Sequence, residues 1–466
     1  MRYFPYVSGE QPLNKQFLQM ERHLYDTDVI GCKLRNSVVW DEGGYCQIFW
    51  PYPDLSRVHK DGERLLFAAQ RKKTLLEQRK SIRLYWESRA RLLRAVNSDR
   101  LTLAKQYDAY AYALRRIFAH IITSTGQVTF ELEKRLKRIV QASYGEQADE
   151  AYAVLTTPTK EDLLMQERKA WVRPGKSPIS ILRHLRKYSV LLANVFSERD
   201  ALSFAKKRDT ELLKREIQDA SKRQAALKKE KRAILGRLGS SLANEISTLL
   251  CGLGVLRLEL KACWNGEAFH SLPFFKKAAR LAGCSVRDFY FYYTWREVSA
   301  LLHKGKPLPL SILKARKHYC LLYLNQKCIA IYNGNQAVEM KRKILGASLP
   351  DREMQSFSGA IACKGKVRGR ARVVRVDSPQ ALSHISKSLR KGDILVTGMT
   401  NPTMMGLIRK VSGIITDEGG IACHAAIISR EFGLPCIVGT HVATHVLKEG
   451  DRIELDALTG AVRKLS

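Results

Sequence analysis

No stretch of this chain stays apolar for anything near the roughly 18 residues that a membrane-crossing helix needs. The most apolar segment, Ile246 to Leu256, is short and broken by Ser247, Thr248, Gly252 and Gly254. The N-terminus, Met1-Arg2-Tyr3-Phe4-Pro5-Tyr6, lacks the apolar core of a secretory leader. No membrane association is expected, and a cytoplasmic location is. The 10 cysteines form no CxxC pair and show no cysteine–histidine ligand spacing. No metal site or disulfide framework is therefore expected, and the thiols read as reduced and mostly buried. Carboxylates are also scarce, with 45 Asp and Glu against 79 Lys and Arg and a net charge of +34. Most of the excess lies ahead of Gln355. A surplus of that size suggests polyanionic partners: nucleic acid, an acidic protein or phosphorylated substrates. No helix-turn-helix, RNP or zinc-finger signature accompanies it, so specific nucleic-acid binding is not favoured.

At 466 residues the chain has room for two or three domains. Residues 1–55 read as a small β-containing element, in which Val29 to Val39 and Tyr45 to Trp50 flank Asp41-Glu42-Gly43-Gly44 as a hairpin. Residues 56–340 read as mostly helix. Ser98 and Thr159 are candidate N-caps, and Thr294-Trp295-Arg296-Glu297 is a capping box. Leu213, Ile217, Ala220, Gln224, Leu227, Lys231, Ile234 and Leu238 alternate steps of four and three, the seam of an antiparallel helix pair. The lysines and arginines around that seam read as a solvated outer face. Tyr319 to Leu324 and Lys327 to Tyr332 look like a second hairpin. Residues 341–358 are the linker candidate and 359–466 the last domain.

The chemistry concentrates in Gly413 to Thr440, which reads as strand, glycine pair, helix, strand. Gly419 and Gly420 supply a bare turn, and a helix opens near Cys423 and stops at Gly433 with Pro435 beyond. Ala425, Ile428 and Phe432 share the face expected to pack on the sheet, and His424 sits beside it in the first turn. A helix start has unpaired N–H groups and positive potential, which would hold a phosphoryl group and disfavour protonated imidazole. Neutral imidazole has the lone pair that attacks phosphorus. A helix start also lowers a thiol pKa, which singles out Cys423, although its simpler role is as a small residue next to His424. On spacing alone, a histidine here is more often a cap or a packed side chain.

The run Thr416-Asp417-Glu418-Gly419-Gly420-Ile421-Ala422-Cys423-His424-Ala425-Ala426-Ile427-Ile428-Ser429-Arg430-Glu431-Phe432-Gly433-Leu434-Pro435 closely resembles the phosphohistidine motif of the phosphoenolpyruvate-utilising enzymes. Gly359-Ala360-Ile361-Ala362, Gly365-Lys366-Val367-Arg368-Gly369, Asp393-Ile394-Leu395-Val396-Thr397 and Met399-Thr400-Asn401-Pro402 resemble the rest of that family's swivelling domain. The resemblance implies that His424 is the catalytic residue, carrying phosphate between an ATP site and an acceptor site. It implies phosphate binding by Gly419 and Gly420, with Thr416 and Ser429 adding hydroxyls. The threonine that regulatory enzymes phosphorylate in the family's dikinases and synthases is here Ala422, so that regulation is not available. More weakly, Leu155-Thr156-Thr157-Pro158, Phe289-Tyr290 and the Arg316-Lys317-His318-Tyr319 entry make the helical region resemble the domain that precedes the swivelling domain in rifampicin phosphotransferase.

The fold class that follows is an α+β multidomain protein. A mostly helical, basic N-terminal and central region with small β-hairpins precedes a C-terminal α/β swivelling phosphohistidine domain. Neither an ATP-grasp domain nor the barrel that binds phosphoenolpyruvate is legible in the 466 residues. The expectation is a phosphotransferase subunit whose His424 is charged by a separate ATP-grasp protein, which brings ATP and Mg²⁺, and which passes phosphate to an acceptor on the helical domain. The alternative is a non-catalytic basic helical module that binds nucleic acid or an acidic protein and carries a remnant swivelling domain.

Overall fold

Two β-sheets organise the chain, and the first joins segments almost 270 residues apart. In this computed structural model the described residues are 3–173, 177–192, 195–206, 208–346, 353–375, 379–400, 404–419 and 423–465. Strands β1 (Tyr3–Glu10), β2 (Asn36–Glu42), β3 (Tyr45–Pro51), β4 (Tyr319–Asn325) and β5 (Cys328–Asn333) form an antiparallel sheet in the order β1-β3-β2-β4-β5. Gly43 and Gly44 both take positive φ between β2 and β3, as a two-residue hairpin turn requires. The first hairpin strand begins at Asn36 and not at Val29, because the chain turns at Gly31 (φ 95°) on its way in.

β2 pairs with β4 along its whole length, from Asn36 opposite Asn325 to Glu42 opposite Tyr319. The division expected between residues 55 and 56 is therefore not a structural one. A lone hairpin is marginal in water, and this one is completed by strands from the far end of the helical region.

The helices between the two hairpins pack around an aromatic core that includes Tyr85, Tyr107, Tyr110, Phe118, Phe274 and Phe289. Helix Ser241–Trp264 lies against both Ala68–Arg94 and Arg100–Thr123. The predicted capping box is present, with Thr294 accepting from the Glu297 N–H and Glu297 accepting in return. Two other caps shift by a few residues. Asp99 caps Arg100–Thr123 in place of Ser98, and Asp162 caps Leu163–Trp171 in place of Thr159; at both ends the carboxylate also suits the positive helix start.

The heptad seam meets several partners. Thr210–Leu238 is one 29-residue helix that packs on Gly126–Tyr144, Ala148–Thr156 and Leu163–Trp171 as well as on the following helix, Ser241–Trp264. Its two polar seam positions add hydrogen bonds. Gln224 Nε2 donates to the Thr159 carbonyl at 2.8 Å, and Lys231 Nζ donates to the Leu155 carbonyl at 2.6 Å, so both tie down the loop after Ala148–Thr156.

The second sheet comprises β6 (Ser356–Ser358), β7 (Ala360–Cys363), β8 (Lys366–Val374), β9 (Ile394–Thr397), β10 (Gly413–Thr416), β11 (Cys436–Val438), β12 (Arg452–Asp456) and β13 (Ala461–Lys464). Its order is β6-β13-β12-β8-β9-β10-β11-β7. β8, β9, β10 and β11 run parallel, and the remaining pairings are antiparallel. Val374, Leu395, Ile414 and Ile428 belong to the core on one face, while Ile394, Ile415, Ile437 and Ile453 belong to the core on the other. Neither core takes a side chain from before Phe357.

The connector is shorter than the expected 341–358. Helix Asn335–Leu345 ends on a fully buried Leu345, and β6 already pairs with β13. Residues 347–352, a third of the expected connector, lie outside the described residues, as does 174–176 of the loop expected around Pro174. Among the described residues no helix is long and apolar enough to cross a membrane.

Candidate functional site

The site forms where the parallel strands β9 and β10 end side by side, the usual place for a crevice in such sheets. The two exits are zipped together. The Asp417 N–H donates to the Thr397 carbonyl at 3.1 Å and the Glu418 N–H to the Gly398 carbonyl at 2.8 Å. Asp417 itself is buried, and its carboxylate accepts from Thr440 Oγ1 at 2.9 Å and from the Thr444 N–H at 3.2 Å. That staple fixes the β10 exit to the loop after β11. Gly419 follows with φ +116°, and a Cβ there would stand 2.7 Å from Cys423 Sγ. A side chain is therefore excluded twice, by backbone conformation and by space.

Helix His424–Phe432 starts at the expected place. Cys423 is its N-cap, with Sγ accepting the Ala426 N–H at 3.5 Å, and Gly433 closes it in the left-handed conformation. Burial pushes the Cys423 thiol pKa up, so the lowered value expected from the helix start is not found. Ala425 and Ile428 pack on the sheet as expected. Phe432 does not: it is 41% exposed and lies under the Arg409 guanidinium at 5.5 Å.

His424 is half-buried, and Thr400 Oγ1 lies 2.8 Å from its Nδ1. Burial first, then the charges of Lys261 and Arg168, lower its pKa from 6.5 to about 4. Both cations come from the helical region. Lys261 Nζ lies 3.5 Å from Met399 Sδ, next to the threonine that holds the histidine. Arg168 stands 3.8 Å from Glu216, whose other carboxylate oxygen pairs with Arg409 of the C-terminal sheet region. A neutral imidazole thus lies within the field of two cations from the helical region. In the tautomer whose Nδ1–H donates to Thr400 Oγ1, the lone pair falls on Nε2.

The expected phosphate ligands do not all meet there. Gly419 is at the site, while Gly420 lies outside the described residues, with Ile421, Ala422 and Asn401 to Thr403. Thr416 is fully buried, and its hydroxyl donates to the Glu418 carbonyl at 2.6 Å. Ser429 is fully buried further along the helix, donating to the Ala426 carbonyl at 3.0 Å. Each hydroxyl thus donates to a carbonyl of its own segment. Thr400 lies beside His424, and Lys261 and Arg168 are close enough for their charges to act on its ring. Thr400 sits in a quoted motif without an assigned role, and nothing in the sequence ties Lys261 or Arg168 to a histidine more than 160 residues later. Among the described residues no group of three or more His, Cys, Asp or Glu side chains converges as a metal site would need.

Residues 389–460 match the model of the PEP-utilising enzyme, mobile domain. A probable phosphoenolpyruvate synthase of Methanothermobacter thermautotrophicus is 42% identical over 139 residues, covering 28% of this chain and 19% of that protein. The phosphoenolpyruvate synthase of Pyrococcus furiosus is 51% identical over 82 residues, 18% of this chain and 10% of that one. The rifampicin phosphotransferase of Bacillus cereus is 30% identical over 258 residues, 52% of this chain and 28% of that protein. The chain thus spans well under a third of the length of these relatives. Aconitase X of Thermococcus kodakaraensis, a solved structure, covers 24% of this chain and 100% of its own at 18% identity and a TM-score of 0.18, a likeness too slight to bear on the fold.

Proposed function

We propose that this chain, which carries a PEP-utilising enzyme mobile domain and is homologous to phosphoenolpyruvate synthases and rifampicin phosphotransferases, is a phosphocarrier and phosphotransferase subunit. His424 accepts a phosphoryl group on Nε2 and delivers it to an acceptor held by the helical region. The observation that carries this reading is the setting of His424. The ring is kept neutral, held through Nδ1 by Thr400, and set within the field of Lys261 and Arg168 from the helical region.

Neutrality preserves the lone pair, and the fixed ring aims it. Once phosphorus is bound, the two cations and the N–H groups at the helix start offset the phosphoryl charge and that of the transfer transition state. Charging belongs to a separate ATP-grasp protein, which binds ATP and Mg²⁺. The histidine reaches that protein by movement of the C-terminal sheet region as a unit.

The test is to mix the chain with ATP, Mg²⁺ and a candidate ATP-grasp partner and look for acid-labile, base-stable phosphate. The expected result is about one phosphate per chain in the wild type and none in His424→Ala. Label that survives His424→Ala rules the reading out.

A further inference from the structure

We infer that the outward face of helix Thr210–Leu238 is a docking surface for the phosphate backbone of a duplex nucleic acid. The inference is independent of the phosphocarrier reading. Of the 29 residues in this helix only Ile234 is buried, and off the seam all but Thr210, Glu216 and Leu235 are exposed to solvent. At 100° per residue, Arg215, Lys222 and Lys229 fall on one line opposite the seam. They repeat every seven residues, about 10.5 Å apart along the axis. Lys228 and Arg232 lie to one side of that line. From Arg215 onward this half of the outward face has no carboxylate, because Asp219 and Glu230 fall on the other flank. Among the described residues none of these five cations has a carboxylate partner.

The neighbouring surface is mixed, with exposed cations on one helix and exposed Glu146, Asp149 and Glu150 just beyond it. Helix Gly126–Tyr144 exposes Lys134, Arg135, Lys137 and Arg138. Its last turn meets the end of the basic helix, where Arg237 donates to the Ser143 carbonyl at 3.1 Å and covers the Tyr144 ring at 4.4 Å.

The chemistry of the face selects the partner. From Arg215 to Arg237 the outward positions hold no apolar side chain larger than alanine. Protein interfaces are anchored by buried aromatic and large apolar groups, and this face offers none. It also has no aromatic ring on which an unpaired base would stack, the usual device of single-strand binders. A row of long cationic side chains without anchors or stacking platforms fits the phosphates of a duplex, read without regard to sequence.

The experiment measures anisotropy of a labelled 30-base-pair duplex, as DNA and as RNA, with the full chain between 50 and 200 mM KCl. Five phosphate contacts predict a slope of log K against log salt of about −4.5, hence an affinity loss of about 500-fold over that range. The combined variant R215Q, K222Q, K228Q, K229Q and R232Q changes only solvent-facing positions. Far-UV circular dichroism should match the wild type, while the slope falls to about −1 or less and affinity at 100 mM drops at least 30-fold. If that variant fails to fold, Lys229→Gln alone should reduce the slope by about 1. His424→Ala should bind as the wild type does. The inference is overturned by failure to bind duplex at 50 mM salt, by an unchanged slope in the variant, or by polyglutamate displacing duplex at equal charge, which would assign the face to an acidic protein.

Discussion

A histidine that attacks phosphorus must keep its lone pair, and His424 keeps it through its surroundings. Burial and the Lys261 and Arg168 charges lower its pKa from 6.5 to about 4. Reaction with phosphoramidate, a small chemical donor, should therefore be flat from pH 8 to about 5 and half lost near pH 4. In Lys261→Ala the midpoint should move upward, because one of the charges that disfavours imidazolium is gone. A wild-type midpoint near 6.5 would mean that the crevice does not act on the ring. The buried His120, also lowered to about 4, shares the sign. The unfolded chain takes up these protons near pH 6.5 and the folded chain only near pH 4. Stability is therefore intact above about 6.5 and falls as pH drops through that window, which urea melts at pH 7, 6 and 5 would show. Thr400→Ala should slow phosphorylation about fivefold, the loss of one hydrogen bond of about 1 kcal/mol, and Thr400→Ser should restore it. Equal rates in all three would leave Thr400 without a positioning role.

At the scale of single elements, much of the site was legible because its signals are local. A glycine that tolerates φ +116°, a cap at Cys423 and a stop at Gly433 are each written within a few residues of the helix they bound. The capping box at Thr294 and the hairpin turn at Gly43-Gly44 are legible for the same reason. The pairing of β2 with β4 is not, since either hairpin reads the same with or without the other. The local partners of Thr416 and Ser429 are not legible either, since a hydroxyl near a histidine in sequence says nothing about the carbonyl it donates to. Arg316 shows how the distant pieces are locked together. It is buried and donates to both oxygens of Glu297 at 2.8 and 2.7 Å, to Asn333 Oδ1 at 2.9 Å and to the Tyr292 carbonyl at 2.7 Å. Arg316→Ala strands those acceptors and should cost about 3–5 kcal/mol in a urea melt. A loss below about 1 kcal/mol would mean that the second hairpin is held by its strand pairing alone.

For the molecule as a whole, the proposed transfer requires the C-terminal sheet region to leave one site and reach another without unfolding. Its two cores are self-contained, and charged contacts such as Glu216 with Arg409 reach across to the helical region. Limited proteolysis should therefore cut between Gly346 and Gln355 and release a folded fragment bearing His424. Glu216→Gln, which removes the anion shared by Arg168 and Arg409, should speed that cut severalfold. Resistance of the segment, or a fragment that unfolds on release, would leave no mobile unit. The most direct measurement takes the protein from its own cells under alkaline, non-denaturing conditions and maps its phosphate by fragmentation mass spectrometry. The account predicts phosphate on His424 that disappears after brief acid treatment. An unmodified His424 there that also stays unmodified with ATP, Mg²⁺ and an ATP-grasp partner, or phosphate on another residue only, would contradict it.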